Sequence, residues 1–214
     1  MWYFIDRRVI VIKNVFFDVL PDVWPMLIII SVIIASLRIA YLITKHKRFL
    51  LHKELIYFIS IIYILCLFHI VTFQDSNYGV SNFIPFKEIF RYDMGSPKFI
   101  KNIIGNIIMF IPYGFIASYL LRNKKFSTIM ILTVIVSLTI ETVQYYIGRV
   151  FDIDDIILNL IGGISGFLLY VGLDAIRHKI KIFRNDTVLD IFILLILALI
   201  IIYSFNIDIF GLMG

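Results

Sequence analysis

The chain has 214 residues, of which 61% are hydrophobic and only 16% charged, with a net charge of +5. Its mean hydropathy is +0.96. A soluble globular chain is roughly half apolar and a quarter charged, so the apolar surplus has to face lipid. The positive charge does not point to nucleic acid, because the basic residues sit in short blocks between apolar runs. That is the pattern of positive-inside orientation, not of a binding groove. The expected fold class is all-α, a polytopic integral membrane helical bundle.

A hydrocarbon core of about 30 Å needs roughly 20 helical residues. In chain order, residues 1–22 come first. Within them Trp2, Ile5, Val9, Ile12, Phe16 and Val19 recur at helical spacing up to Pro21, which predicts an amphipathic segment in the interface. Asp6, Arg7, Arg8 and Lys13 interrupt this stretch, so no cleavable signal is expected. Residues 23–81 should hold a pair of spans, Trp24–Ile43 and Leu55–Phe73. Residues 82–173 should hold three more, at Ile103–Leu121, Phe126–Ile147 and Ile156–Leu173. Residues 174–214 give a basic loop and a last span, Val188–Phe205.

Six spans are therefore expected, or five if the N-terminal segment is cytoplasmic and one span is re-entrant. Lys45, Lys47, Arg48 and Lys53 crowd the first loop; Arg122, Lys124 and Lys125 fill the third. Arg177, Lys179, Lys181 and Arg184 lie in the fifth. Those loops are predicted to be cytoplasmic, which places the second loop, Gln74–Lys101, and the fourth, Gly148–Asp155, outside. Cys66 lies within the apolar run Leu65-Cys66-Leu67-Phe68 and reads as a buried thiol. As the single cysteine, it has no partner for an intramolecular disulfide and no zinc-like spacing around it.

Polar side chains are costly in lipid and normally face a bundle interior or a wet cavity. Arg38 and His69 lie near span ends and read as interfacial. Asn102 and Asn106 open the third span four residues apart, on one helical face. Pro112 and Gly114 follow and allow a freed carbonyl and a close helix approach. Glu141 and Gln144 share a face of the fourth span, with Glu141 roughly 9 Å below its outer end. Arg149 precedes the fifth span, where Asp152, Asp155, Asn159, Gly163 and Gly166 step by three or four. Gly162 and Gly166 form a small-xxx-small pair for helix packing. The three groups agree in depth, just beneath the predicted outer interface. Interhelical hydrogen bonding and helix capping by Asp152 or Asp155 would each explain part of the pattern.

The segment Asn82-Phe83-Ile84-Pro85-Phe86, the run from Asn102 to Gly114, the pair Glu141/Gln144, and Arg149-x-x-Asp152-x-x-Asp155-x-x-x-Asn159-x-x-Gly162-x-x-x-Gly166 together resemble the VanZ-like family. The likeness covers about Asn82–Tyr170. It implies a multi-pass protein of the plasma membrane in Gram-positive bacteria, whose namesake is associated with resistance to the glycopeptide teicoplanin. The family supplies a phenotype, not a reaction.

Three functions are compatible with these residues. A non-catalytic protein would bind an amphiphile at the outer leaflet, either a lipidated glycopeptide or a lipid-linked cell-wall precursor. Asn102, Asn106, Glu141, Gln144, Arg149, Asp152, Asp155 and Asn159 would hold its polar head, with Arg149 able to fork onto phosphate or carboxylate. An enzyme acting on a lipid-linked envelope molecule would use Glu141, Asp152 and Asp155 as bases or hard oxygen ligands. Against it, the motif holds no His, Cys or Lys and no serine-nucleophile pattern. A lipid transporter would need polar groups through the midplane and an inverted repeat, and neither is visible. The binder is the leading expectation. No cofactor is expected, although the carboxylates leave room for a divalent cation.

Overall fold

The computed structural model of the protein describes residues 24–73, 81–93, 96–122 and 125–180, and near the C-terminus 185–188, 190–191 and 193–195. Among these, five helices are long and apolar enough to cross a membrane. They are α1 (Trp24–Thr44), α2 (Leu51–Phe73), α3 (Pro97–Leu121), α4 (Phe126–Tyr146) and α5 (Ile153–Lys179). The all-α membrane bundle expected from hydropathy is the observed architecture. The amphipathic segment of residues 1–22 lies outside the described residues, as does most of the sixth span.

Several helices run past the ends that hydropathy marked, because hydropathy reports where lipid begins and capping reports where hydrogen bonding ends. The second helix starts at Leu51, not Leu55, since the Asp190 carboxylate accepts from Leu51 N (3.1 Å) and His52 N (2.9 Å). The third starts at Pro97, not Ile103. Ser96 Oγ accepts from Phe99 N at 3.1 Å, and Pro97 fits the first turn, where no N–H is required. The fifth spans 27 residues because Asp152 caps its start, so its polar ends remain helical. Cys66 is half-buried rather than buried.

Helices α3, α4 and α5 form the core. Parallel α3 and α5 meet at backbone distance because glycine removes the side chains that would separate them. A Cβ on Gly162 would collide with the carbonyl of Ile107, one on Gly166 with that of Ile111, and one on Gly114 with that of Gly163. A Cβ on Gly163 would stand 2.6 Å from Thr133 Oγ1 of α4. Three helices thus converge on Gly163. Such small-residue contacts hold membrane helices together through dispersion, where lipid offers no hydrophobic drive.

Antiparallel α4 turns one stripe inward, with Ile129, Thr133, Ser137 and Glu141 at four-residue steps and each at most 1% exposed. The buried hydroxyls of Thr133 and Ser118 donate to carbonyls one turn back, at 2.7 and 2.6 Å, so they cost no unpaired group. Pro112 lies inside α3 and provides no N–H for the preceding turn. Nearby, Tyr63 of α2 donates to the carbonyl of Met109 at 2.9 Å. The first helix stands mostly open, tied to α2 by Arg38, whose guanidinium pairs with Glu54 (2.7 and 3.0 Å) and lies over the rings of Tyr41 and Tyr57.

Candidate functional site

The polar residues gather at one end of the bundle, where α2 ends, α3 starts, α4 ends and α5 starts. Two loops close over that end. Asn82, from the α2–α3 loop, pairs with the α4–α5 loop as an isolated parallel bridge opposite Asp152. Asn82 N donates to Phe151 O (2.8 Å) and Ile153 N to Asn82 O (3.0 Å). The Asn82 amide adds a bond to Asp152 Oδ1 at 2.9 Å, and the rings of Phe83 and Phe151 stack at 5.3 Å.

Asp152 is the N-cap of α5, accepting from Asp154 N at 2.9 Å. Its carboxyl is pushed above the usual range by burial, against the pull of the Asp154 N–H and the Asn82 amide. Asp152 N in turn donates to Glu141 Oε2 at 3.0 Å. Glu141 is 1% exposed, so the loop backbone supplies a donor that a buried carboxylate requires. With its carbonyl turned toward Arg149, the Gln144 amide accepts from Arg149 Nη1 (2.8 Å) and donates to Glu141 Oε1 (3.2 Å). Arg149 also donates to Val71 O, near the C-terminus of α2, at 3.2 Å. A cation at that helix end meets carbonyls left without intrahelical partners.

Asp155 takes the amide of Asn106 at 2.5 Å, joining α5 to α3. It lies within electrostatic range of Glu141, Asp152 and Arg149. One turn deeper, Asn159 donates to Ser137 Oγ at 2.9 Å, while its Oδ1 has no hydrogen-bond partner. Asn102 goes elsewhere: its amide donates to Tyr92 OH at 3.0 Å. The first turns of α3 explain the parting of the two asparagines. Residues Ile100–Ile104 form a π-helical turn, which breaks the four-residue register that would place Asn102 and Asn106 on one face.

Seven of the eight expected polar residues therefore gather at this end: Glu141, Gln144, Arg149 and Asp152 in one hydrogen-bonded chain, with Asn106–Asp155 and Asn159–Ser137 as pairs beside it and Asn102 at the edge. Three contributors carry little signal in the sequence. Asp154 is fully buried, and its two oxygens accept from the backbone N–H groups of Phe86 (2.5 Å), Glu88 (2.7 Å) and Ile89 (3.2 Å). It stands between two residues of the stripe and falls outside its periodicity. Ser137 sits four residues before Glu141, and that spacing alone could have exposed it. Tyr92 lies in a loop, where no periodicity applies. Among the described residues, no three His, Cys, Asp or Glu side chains converge in a way that could hold a metal ion. A separate apolar groove of about 570 Å³ lies on α5 away from this cluster, lined by Ser165, Leu168, Leu169, Gly172, Leu173 and Ile176.

The family model VanZ/LLP1 matches residues 54–177, which reaches back through α2, beyond the likeness visible in the sequence motifs. The chain is similar to Protein VanZ of Enterococcus faecium, 32% identical over 105 residues, which is 48% of this chain and 63% of that protein. The chain thus spans less than two thirds of that relative's length. No solved structure matches.

Proposed function

The chain belongs to the VanZ/LLP1 family, and from that premise and the cluster geometry we propose that it binds the polar head of an amphiphile at the outer face of the plasma membrane. The ligand is a lipidated glycopeptide such as teicoplanin or a lipid-linked cell-wall precursor, and its capture contributes to glycopeptide resistance. The observation that carries this reading is a division of labour within the cluster. Glu141 and Asp154 are buried and spent on internal contacts, and buried Asn159 gives its amide N–H to Ser137. Asn102, Asn106, Gln144 and Arg149 are only partly buried, and these four are the groups we assign to the ligand, with Asp155 holding the Asn106 amide at 2.5 Å. The buried members hold the rim, and the rim meets the ligand.

Arg149 has a different part from the one its sequence position suggests. It is engaged by Val71 O and Gln144, so it braces the rim and is less open to fork onto a phosphate. Amide groups dominate what remains, which suits hydroxyls and amines of a sugar or peptide head. Of the three carboxylates a membrane enzyme would use, Glu141 is buried and accepts from Asp152 N and the Gln144 amide, Asp152 caps α5, and Asp155 takes the Asn106 amide.

The test compares teicoplanin and vancomycin in parallel, in cells lacking the protein and in cells producing the wild type or Asp155→Ala. A rise in resistance selective for teicoplanin, lost in Asp155→Ala at unchanged protein level, is expected. An equal response to both drugs would point to general envelope stress and overturn the reading.

A further inference from the structure

Eight residues of the α2–α3 loop carry four large apolar side chains that stay half or more exposed, even though Phe83 stacks on Phe151. Phe83 is 67% exposed, Ile84 62%, Phe86 50% and Phe90 83%. A loop in water would be polar, and exposed apolar groups in such density mark a surface meant to be covered.

The loop is not free to float. Asp154 holds the N–H groups of Phe86, Glu88 and Ile89 from the first turn of α5. Asn82 is stitched to Phe151 and Ile153. The loop is therefore fixed at the depth where α5 begins. A 27-residue helix is about 40 Å long, the thickness of the hydrocarbon core plus its headgroup layers, so its first turn lies in the interface. Tyr145 and Tyr146, 57% and 82% exposed, end α4 at the same side of the bundle, as aromatic residues do at a membrane boundary. Phe86 also adopts a left-handed backbone, φ +68°, which a bulky residue takes up only when its surroundings compel it. Its N–H is one of the three that Asp154 accepts.

We propose that this loop is an interfacial anchor, with Phe83, Ile84, Phe86 and Phe90 inserted among the lipid chains just beneath the headgroups. Lys87, exposed, stands beside them and extends toward lipid phosphates, while Arg91 pairs with Glu88 at 3.1 Å. The occupant of the apolar surface is bilayer lipid, so the loop fixes the depth of the adjacent polar cluster. The proposal is independent of what that cluster binds.

The experiment places a nitroxide through Phe90→Cys in a chain carrying Cys66→Ala, reconstituted in vesicles of phosphatidylcholine and phosphatidylglycerol. Collision with oxygen, which partitions into lipid, is compared with collision with a water-soluble nickel chelate. Oxygen should dominate, as at a label on the exposed Ile131 of α4. Dominance of the nickel chelate would place the loop in water, and suppression of both would place protein over it. Either result overturns the proposal. A second label through Ile84→Cys gives the same reading should Phe90→Cys fail to accumulate.

Discussion

Asp154 and Asp152 are neighbours in sequence with unequal duties. Asp152 caps a helix, and loss of an N-cap costs about 1 kcal/mol. Asp154 accepts from three backbone donors of a distant loop at a buried position, and each buried donor left unpaired costs about 1–3 kcal/mol. Asp154→Ala should therefore lower stability by about 3 kcal/mol or more, clearly beyond Asp152→Ala. Thermal unfolding of the detergent-solubilised protein ranks the two, and equal losses would contradict the assignment. Asp154→Ala should also open residues 84–91 to protease before the helices unfold, because the loop loses its fastening while α3–α5 packing stays.

Among the helices, glycine has two fates. A methyl at Gly163 would press on Thr133 and the helix backbone would have to shift, costing about 1–3 kcal/mol by the usual range for overpacking. Gly172 sits in the same helix, and a Cβ added there would meet nothing within 4 Å. There Gly172→Ala should stabilise by about 0.5–1 kcal/mol, through helix propensity alone. Opposite signs for the two substitutions in one thermal-shift series are the expected result. Stabilisation by both would mean that α4 and α5 are not held this close at Thr133 and Gly163. The first helix should behave differently again. Its ion pair leaves Arg38 37% and Glu54 14% exposed, and after allowance for screening, Arg38→Ala should change core melting by under about 1 kcal/mol.

For the molecule as a whole, hydropathy was a good guide to which residues meet lipid and a poor one to where helices stop. The spans and the polar end were legible because apolar runs and four-residue steps survive in sequence as periodicity. Gly114, Gly162, Gly163 and Gly166 were legible for the same reason. Asp154 was not, since its partners are backbone groups about 65 residues away, and a backbone donor leaves no mark on composition. The divergence of Asn102 from Asn106 was hidden by a π-helical turn that one-letter spacing treats as ordinary helix. Arg149 looked like a free phosphate fork because its acceptor, the carbonyl of Val71, belongs to every residue alike.

The stitch between Asn82 and Asp152 joins positions 70 residues apart, which sets a timetable for biosynthesis. At about 5–20 residues per second, the α2–α3 loop waits on the order of 4–14 s for its counterpart to leave the ribosome. Through that interval its phenylalanines have no protein scaffold, and Asp154 does not yet exist to hold them. The polar cluster therefore closes as a late act of insertion, when α5 enters beside α3. A chain stalled or cut before residue 152 would carry four apolar spans and a rim left open, with neither Asp155 nor the stitch to close it.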